Sequence, residues 1–453
     1  MSPHAIHTTS PGHLSNATLL QKFDVTNNGF LPATLPLQRL PHASYDPWES
    51  LICNLPIHLR QDTLRTEVGR LEVIPTDHLK SQAEYRRAYV ILAFLAQAYI
   101  WGGDVPVAMK QPAIRNAENE QVLPPAISVP FLAISKKLEL PPVLTYAACN
   151  LWNFSSATED FSDLENIHAL HTFTGTRDES WFYMISVAME AKAGCIIPTM
   201  LRAVEAANVK DYPVIIQALE AMETCIRDIG ALLDRMHEKC DPIIFFNHIR
   251  PFLAGSKNMA GAGLPRGVFY DEGDGRGDWL QLRGGSNGQS SLIQFLDIVL
   301  GVIHTKQGSN NPIQDQNQAS DNPELTFHDE IQAYMPGSHQ RFLQHVKKMA
   351  RVRQLASVES ETVEQELLRK QYSATVEALG EFRNKHIQIV TRYILLPSKE
   401  SSERKRQNLA SASTDSRGRP EELTGTGGTM LMPFLKQVRN ETLEAALIDR
   451  LTL

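Results

Sequence analysis

ETVEQELLRKQYSATVEALGEFRNKHIQIVTRYILL, residues 361–396, is the stretch on which the reading of this chain turns. Within it Leu379, Phe382, His386, Ile389, Val390 and Tyr393 recur at three- and four-residue intervals, the spacing that gathers side chains on one face of an α-helix. That stripe is apolar, so it faces a core and carries the His386 imidazole inside. Working outward, residues 180–196, 214–237 and 289–304 repeat the helical period, whereas alternating strand-like runs are scarce. The chain is therefore expected to be mostly α, with a large helical bundle over residues 173–453. Residues 21–172 hold shorter segments broken by proline, as at Leu55-Pro56 and Leu140-Pro141-Pro142, and predict a smaller, irregular, mainly helical N-terminal domain behind a flexible leader, residues 1–20.

Composition excludes several classes of function. At 453 residues with 42% apolar and 21% charged side chains, the chain reads as ordinary globular protein. A net charge of −7 and the lack of a basic stripe argue against nucleic-acid binding. The N-terminus lacks the charged-then-apolar layout of a secretory signal. The longest apolar run, residues 88–101, is interrupted by Gln97 and falls short of the roughly 20 residues of a membrane span. It predicts a buried helix stopped at Gly102 and Gly103. Five scattered cysteines with no CxxC spacing suggest neither a zinc site nor a disulfide framework. Reduced thiols in a cytoplasmic protein, monomeric and without a membrane partner, are expected. Residues 308–323 predict a surface loop. A second polar stretch, about 399–424, predicts a mobile loop leading into Gly425-Thr426-Gly427-Gly428-Thr429.

A lone histidine on an apolar helix face is more often a hydrogen-bonded core residue than a ligand. Arg383, three residues before His386, shares its side of the helix and could reach an anionic group there. A haem would offer iron to the imidazole and propionates to the guanidinium. Residues 271–278 fail the calcium-loop pattern because glycine replaces two ligands. The run 284–290 lacks the lysine of a P-loop, and 425–430 lacks the last glycine of a dinucleotide fingerprint, leaving close backbone approach to a ligand or plain surface loops. Phe246 and Arg250 would share a helix face, where most arginines are solvated. Ser186 lies in an almost wholly apolar run, where a serine by default bonds the carbonyl one turn back. No serine has a G-x-S-x-G context.

At these residues the sequence resembles the indoleamine 2,3-dioxygenase family, in its fungal-type branch. The carriers are Ser135-Lys136-Lys137-Leu138-Glu139-Leu140-Pro141-Pro142, Phe245-Phe246 with Arg250, Gly284-Gly285-Ser286 with Gly288-Gln289-Ser290-Ser291, Tyr334-Met335-Pro336, residues 386–391 and residues 425–429. Their order and spacing agree over roughly Phe23 to Val438. The resemblance implies that His386 is the iron ligand of haem b, ferrous when active, that Arg383 is a propionate partner and that Asp297 supports it. It implies distal-pocket roles for Phe182 and Ser186, a deeper wall at Tyr146 and Cys149, and a loop over the haem edge at Gly285-Ser286. Phe245 and Arg250 match substrate-contacting positions, and Thr426 the loop that closes over the amino acid.

The implied reaction adds both atoms of O2 across the indole C2–C3 bond of L-tryptophan, gives N-formylkynurenine, and opens the kynurenine route towards NAD. A cellular reductant would keep the iron ferrous. Two departures from the family pattern, Asn287 and Ala254-Gly255-Ser256, are expected near the substrate pocket and bear on substrate identity. The competing readings are a haem-binding relative with little dioxygenase activity and a helical interaction scaffold without a cofactor.

Overall fold

Helices account for most of the chain, and its computed structural model describes residues 16–102, 122–260, 264–305, 326–403, 425–426 and 430–446. The longer helices are α1 (Gln82–Trp101), α2 (Pro125–Leu138), α3 (Arg177–Lys192), α4 (Ile196–Val209), α5 (Tyr212–Asp234), α6 (Ser291–Leu300), α7 (Gly337–Met349), α8 (Val363–Val390) and α9 (Leu431–Ala446). Their ends follow local chemistry. Thr362 and Gln365 cap α8 reciprocally, each side chain accepting from the other's backbone N–H, which satisfies two otherwise orphan donors. Ser81 and Thr176 cap α1 and α3 one way only, their side chains accepting from the amides of Glu84 and Glu179.

Three expected helices end earlier than their periodicity suggests. The stretch 180–196 breaks after α3, where a Cβ on Gly194 would lie 2.6 Å from the Asn27 carbonyl oxygen and 2.7 Å from the Gly29 nitrogen. The N-terminal segment crosses there, and only glycine leaves room. The stretch 289–304 stops at Leu300 because Gly301 takes φ +65°, a left-handed cap. At the end of α8 the hydrogen bonding widens into a π turn, Thr391–Leu395, closed by Leu396 N–H donating to the Thr391 carbonyl.

Strands are few. A three-stranded sheet has the order β1 (Val122–Leu123), β4 (Val268–Gly273), β5 (Arg276–Leu280), with β1 parallel to β4 and β5 antiparallel to it. A separate hairpin pairs β2 (Phe154–Ser156) with β3 (Ile167–Ala169). The glycine- and acid-rich run 271–278 is thus the β4–β5 hairpin, turning at Gly273, Asp274 and Gly275, all with positive φ, and not an irregular surface loop.

α8 lies between α5 and α9. Gly380 makes the second contact close: a Cβ there would sit 2.5 Å from Leu443 Cδ2. The apolar run in α1 is buried as expected, from Ala88 to Ala96, and Arg87 beside it pairs with Glu49 at 2.6 Å. Buried side chains from Phe23 to Ala445 form one continuous core, so the irregular N-terminal part and the bundle pack as one body. Among the described residues no single helix is long and apolar enough to cross a membrane. The helix Asn16–Lys22 falls partly in the expected leader. The rest of that leader, the loop expected at 308–323 and residues 404–424 of the second loop lie outside the described residues.

Segments 253–257 and 282–285 run backbone against backbone. Ser256 N–H donates to the Leu282 carbonyl at 2.7 Å, and a Cβ on Gly284 would lie 2.0 Å from the Leu253 oxygen. No flexible side chain is there to give way, so Gly284→Ala is expected to destabilise the protein by about 1–3 kcal/mol, as overpacking does. Thermal unfolding of the two proteins checks this, and an unchanged midpoint would contradict it.

Candidate active site

A cavity of about 270 Å³ opens between α3, α6, α8, α9 and the loop 285–288. Three π turns border it. Ala147–Leu151 brings Cys149 and Asn150 to its wall, Phe245–Ile249 brings Phe245 and leads into Arg250, and Thr391–Leu395 brings Tyr393. Each adds a residue to the helical repeat and re-aims the side chains around it, a distortion common at functional sites.

His386 projects from α8 into this cavity and makes no hydrogen bond with any described residue. Burial, then the neighbouring Arg383 charge, lower its pKa to about 4. The imidazole is therefore neutral near pH 7, with a lone pair available to a metal. One turn earlier, Arg383 Nη2 donates to both Asp297 carboxylate oxygens at 2.7 Å, with the two side chains 9% and 7% exposed. Asp297 also meets His304 Nε2 at 3.1 Å, and His304 Nδ1 meets Glu441 Oε2 at 2.7 Å. Burial alone would raise the Asp297 pKa, but Arg383 and His304 hold it well below the usual carboxylate range. Burial alone would lower the His304 pKa, but Asp297 and Glu441 raise it.

Across the cavity, the Phe182 and Phe245 rings meet at 4.8 Å between centroids, tilted by 57°, and Phe245 packs edge-on to Tyr393 at 5.8 Å. Ser186 lies one turn after Phe182. It does not bond the carbonyl one turn back; its hydroxyl lies beside that of Tyr146. The Tyr146 hydroxyl donates to Glu190 Oε1 at 2.9 Å, and the Ser290 hydroxyl donates to the same oxygen at 2.7 Å. Cys149 is a buried thiol whose pKa is pushed well up by burial and the Glu179 charge. Arg250 is 1% exposed rather than solvated, with its guanidinium 5.8 Å from the Phe246 ring centroid. Burial lowers its pKa to about 10, so it remains a cation near pH 7.

The loop that joins these parts is stitched on both sides. Gln289 accepts from Tyr146 N–H at 2.8 Å and donates to the Gly284 carbonyl at 2.9 Å. Ser286 caps the short turn Asn287–Gln289 through Gly288 N–H. The Thr426 hydroxyl donates to the Gly285 carbonyl at 2.9 Å, so it engages the loop and not open space. Gly427 to Thr429 lie outside the described residues.

The structure thus brings Tyr146, Cys149, Phe182, Ser186, Phe245, Arg250, Gly285, Ser286, Asp297, Arg383, His386 and Thr426 to one cavity. Of the two departures, Asn287 lines it. Ala254 does not: it is 2% exposed behind the 284–285 loop, and its carbonyl accepts from Trp101 Nε1 at 3.0 Å. Glu190, His304 and Glu441 escaped the sequence reading. Phe182, Ser186 and Glu190 recur every fourth residue, so an acid continuing that largely apolar face was a visible signal; for His304 and Glu441 there was none.

The sequence profile of the family described as Indoleamine 2,3-dioxygenase matches residues 19–445. The chain belongs to the indoleamine 2,3-dioxygenase family. It is 37% identical over 435 residues to indoleamine 2,3-dioxygenase nanC of Aspergillus nanangensis, covering 94% of this chain and 97% of that protein. It is 37% identical to the indoleamine 2,3-dioxygenase of Saccharomyces cerevisiae, covering 98% and 96%. It is 35% identical to the 6-hydroxytryptophan 2,3-dioxygenase fscD of Fusarium equiseti, covering 92% and 95%. Membership makes the chain a dioxygenase, an oxidoreductase that uses O2.

His304, bonded by two carboxylates, gives a pH prediction. Because its folded pKa is raised, its contribution to stability is fully present below the unfolded value of about 6.5 and is lost as pH rises through the folded value. The stability difference between wild type and His304→Gln is expected to shrink on going from about pH 6 to about pH 9. Denaturant titrations across that range check it; a difference that stays constant would contradict the ionised assignment.

Proposed function

We propose that this dioxygenase holds haem b on His386 and opens the indole ring of L-tryptophan, releasing N-formylkynurenine. The observation that carries the reading is His386 itself: a neutral imidazole without a hydrogen-bond partner, inside a cavity, one turn from a buried arginine. A neutral imidazole that faces a cavity and not a protein partner is the donor a haem iron takes. Arg383 and the α9 face at Phe434 and Val438 supply the cationic and apolar surroundings such a group needs.

Haem, when bound, supplies the electronic route by which triplet dioxygen reacts with a closed-shell indole. The chain's own residues do the rest. Arg250 takes the substrate carboxylate in charge-assisted hydrogen bonds, and Phe182 and Phe245 give the ring aromatic faces. That orients the C2–C3 bond, and both oxygen atoms end in the product. The apolar wall formed by Phe182, Phe245, Leu253 and Tyr393 excludes water while this happens. Neither a general base nor a nucleophile is asked of the protein.

On this reading a cellular reductant keeps the iron ferrous, and the product enters the kynurenine route towards NAD. Five free cysteines suit a reducing compartment such as the cytoplasm. A hydroxylated tryptophan is the second candidate substrate, favoured by the name of the Fusarium equiseti relative and by the polar corner at Tyr146 and Ser290.

His386→Ala is expected to purify without haem, read as loss of the haem absorption band relative to protein. Full haem content with an unchanged ferrous spectrum would sink the ligand assignment. Arg250→Leu should retain haem yet raise the Michaelis constant for L-tryptophan by roughly tenfold to a hundredfold, the value of one charged hydrogen-bond partner. Steady-state assay of wild type and variant with L-tryptophan and with 6-hydroxytryptophan separates the two substrates; turnover of neither would refute the proposed activity.

A further inference from the structure

We propose that Glu190 is a positioning residue that must be protonated for the cavity to take an aromatic ligand, its neutral carboxyl tying the Tyr146 turn, α3 and the Ser290 cap of α6 into one wall. The inference rests on the pocket reading above, which gives the ligand an indole ring.

Glu190 is 1% exposed and lines the cavity. Its Oε1 accepts two hydroxyl hydrogen bonds, from Tyr146 at 2.9 Å and Ser290 at 2.7 Å, while Oε2 is buried without a partner. The groups that meet the carboxyl are hydroxyls: Tyr146 from the π turn, Ser290 from the cap of α6, with Ser186 one turn back on α3 beside Tyr146. Among the described residues no cation pairs with it, and Lys192, two residues on, turns outward to Asp228 at 3.2 Å. Two neutral donors do not compensate a buried negative charge, which is why burial raises this carboxyl to about 7 against their opposing effect. Even with the cavity unfilled the carboxyl is almost wholly enclosed, which places its ionisation near neutral pH and not in the usual carboxylate range. An indole ring displaces cavity water and brings at most one neutral N–H and no positive charge, so the filled cavity favours the neutral acid.

Each link has a geometric consequence. Ser290 caps α6 through Ile293 N–H, and Gln289 beside it fixes the Tyr146 amide. The loop 284–290 therefore leans on Glu190 at one end and on Thr426 at the other. Ionisation puts a charge at the junction and loosens the wall against which the ring must lie. Ligand uptake and proton uptake are coupled, and affinity falls as pH rises above the free-protein value.

The test is L-tryptophan binding to the haem-loaded protein, followed by absorption, between about pH 6 and about pH 8.5. Wild type is expected to weaken by roughly thirtyfold over that range, the change for one proton released at about pH 7. Glu190→Gln, which cannot ionise, should bind with an affinity that does not change with pH. Tyr146→Phe removes a donor to the carboxylate and should move the wild-type inflection to higher pH. In parallel, infrared difference spectra of the ligand-free proteins should show a protonated-carboxyl band lost on raising pH in wild type and absent from Glu190→Gln. The same pH dependence in wild type and Glu190→Gln, or no loss of that band, would overturn the proposal. Failure of wild type to bind L-tryptophan at any pH would instead refute the substrate reading, and the infrared comparison would still decide the state of Glu190.

Discussion

Arg383 and Asp297 meet where α6, α8 and α9 converge, and the orientation of the largest helix follows from that contact. A buried ion pair gains little net stability, because two desolvated charges cost nearly what their attraction returns, but separating them is expensive. The pair therefore acts on geometry. With Asp297 held by His304 and His304 by Glu441, three helices share one polar junction inside an apolar core. Rotation of α8 about its axis would break it. His386, one turn beyond Arg383, is on that account held toward the cavity although nothing else in the described chain bonds its ring.

Regular helices alone would not have closed the rest of the cavity. The three π turns each lie where a wall changes direction, and each delivers an aromatic, a thiol or a cation that a continuous helix would have turned elsewhere. Their cost is met by packing: Phe245 lies between Phe182 and Tyr393, and the Tyr393 hydroxyl reaches the Cys240 carbonyl at 2.8 Å. Behind the loop 284–290, the interlock of Gly255 with Gly284 fixes the backbone so that side chains at 286–290 can be spent on the site.

Much of this was legible in the chain. Helical class, the long α8 with its inward histidine and the burial of α1 follow from periodicity, which reports local geometry directly. The cavity residues came from the resemblance to one family, carried by six ordered motifs and extended residue by residue to positions outside them such as Phe182 and Asp297. What periodicity could not report were events imposed by distant contacts. Gly194 ends α3 because residues 27–29 pass beside it, and Gly301 ends α6 by a backbone angle. Glycine at 284 looked like room for a ligand, and the structure assigns that room to Leu253 and Gly255. His304 and Glu441 lie far apart in sequence and acquire meaning only across the junction of α6 and α9.

On the proposed reading, the cavity sorts its ligand by two parts of its lining that differ in character. A carboxylate arriving beside the buried Arg250 cation interacts at low effective dielectric, so it gains more there than at a surface site. An indole without a carboxylate gains only the burial of its ring, about 25 cal/mol per Å² of apolar surface. Elsewhere on the lining, the Tyr146 and Ser290 hydroxyls are already committed to Glu190, and Asn287 adds an amide that can donate or accept. Recognition of the amino-acid head is thus set by a fixed charge, whereas tolerance of ring substituents depends on neutral polar groups whose bonds can be exchanged. On that reading the same fold can hold one head group strictly and admit more than one ring.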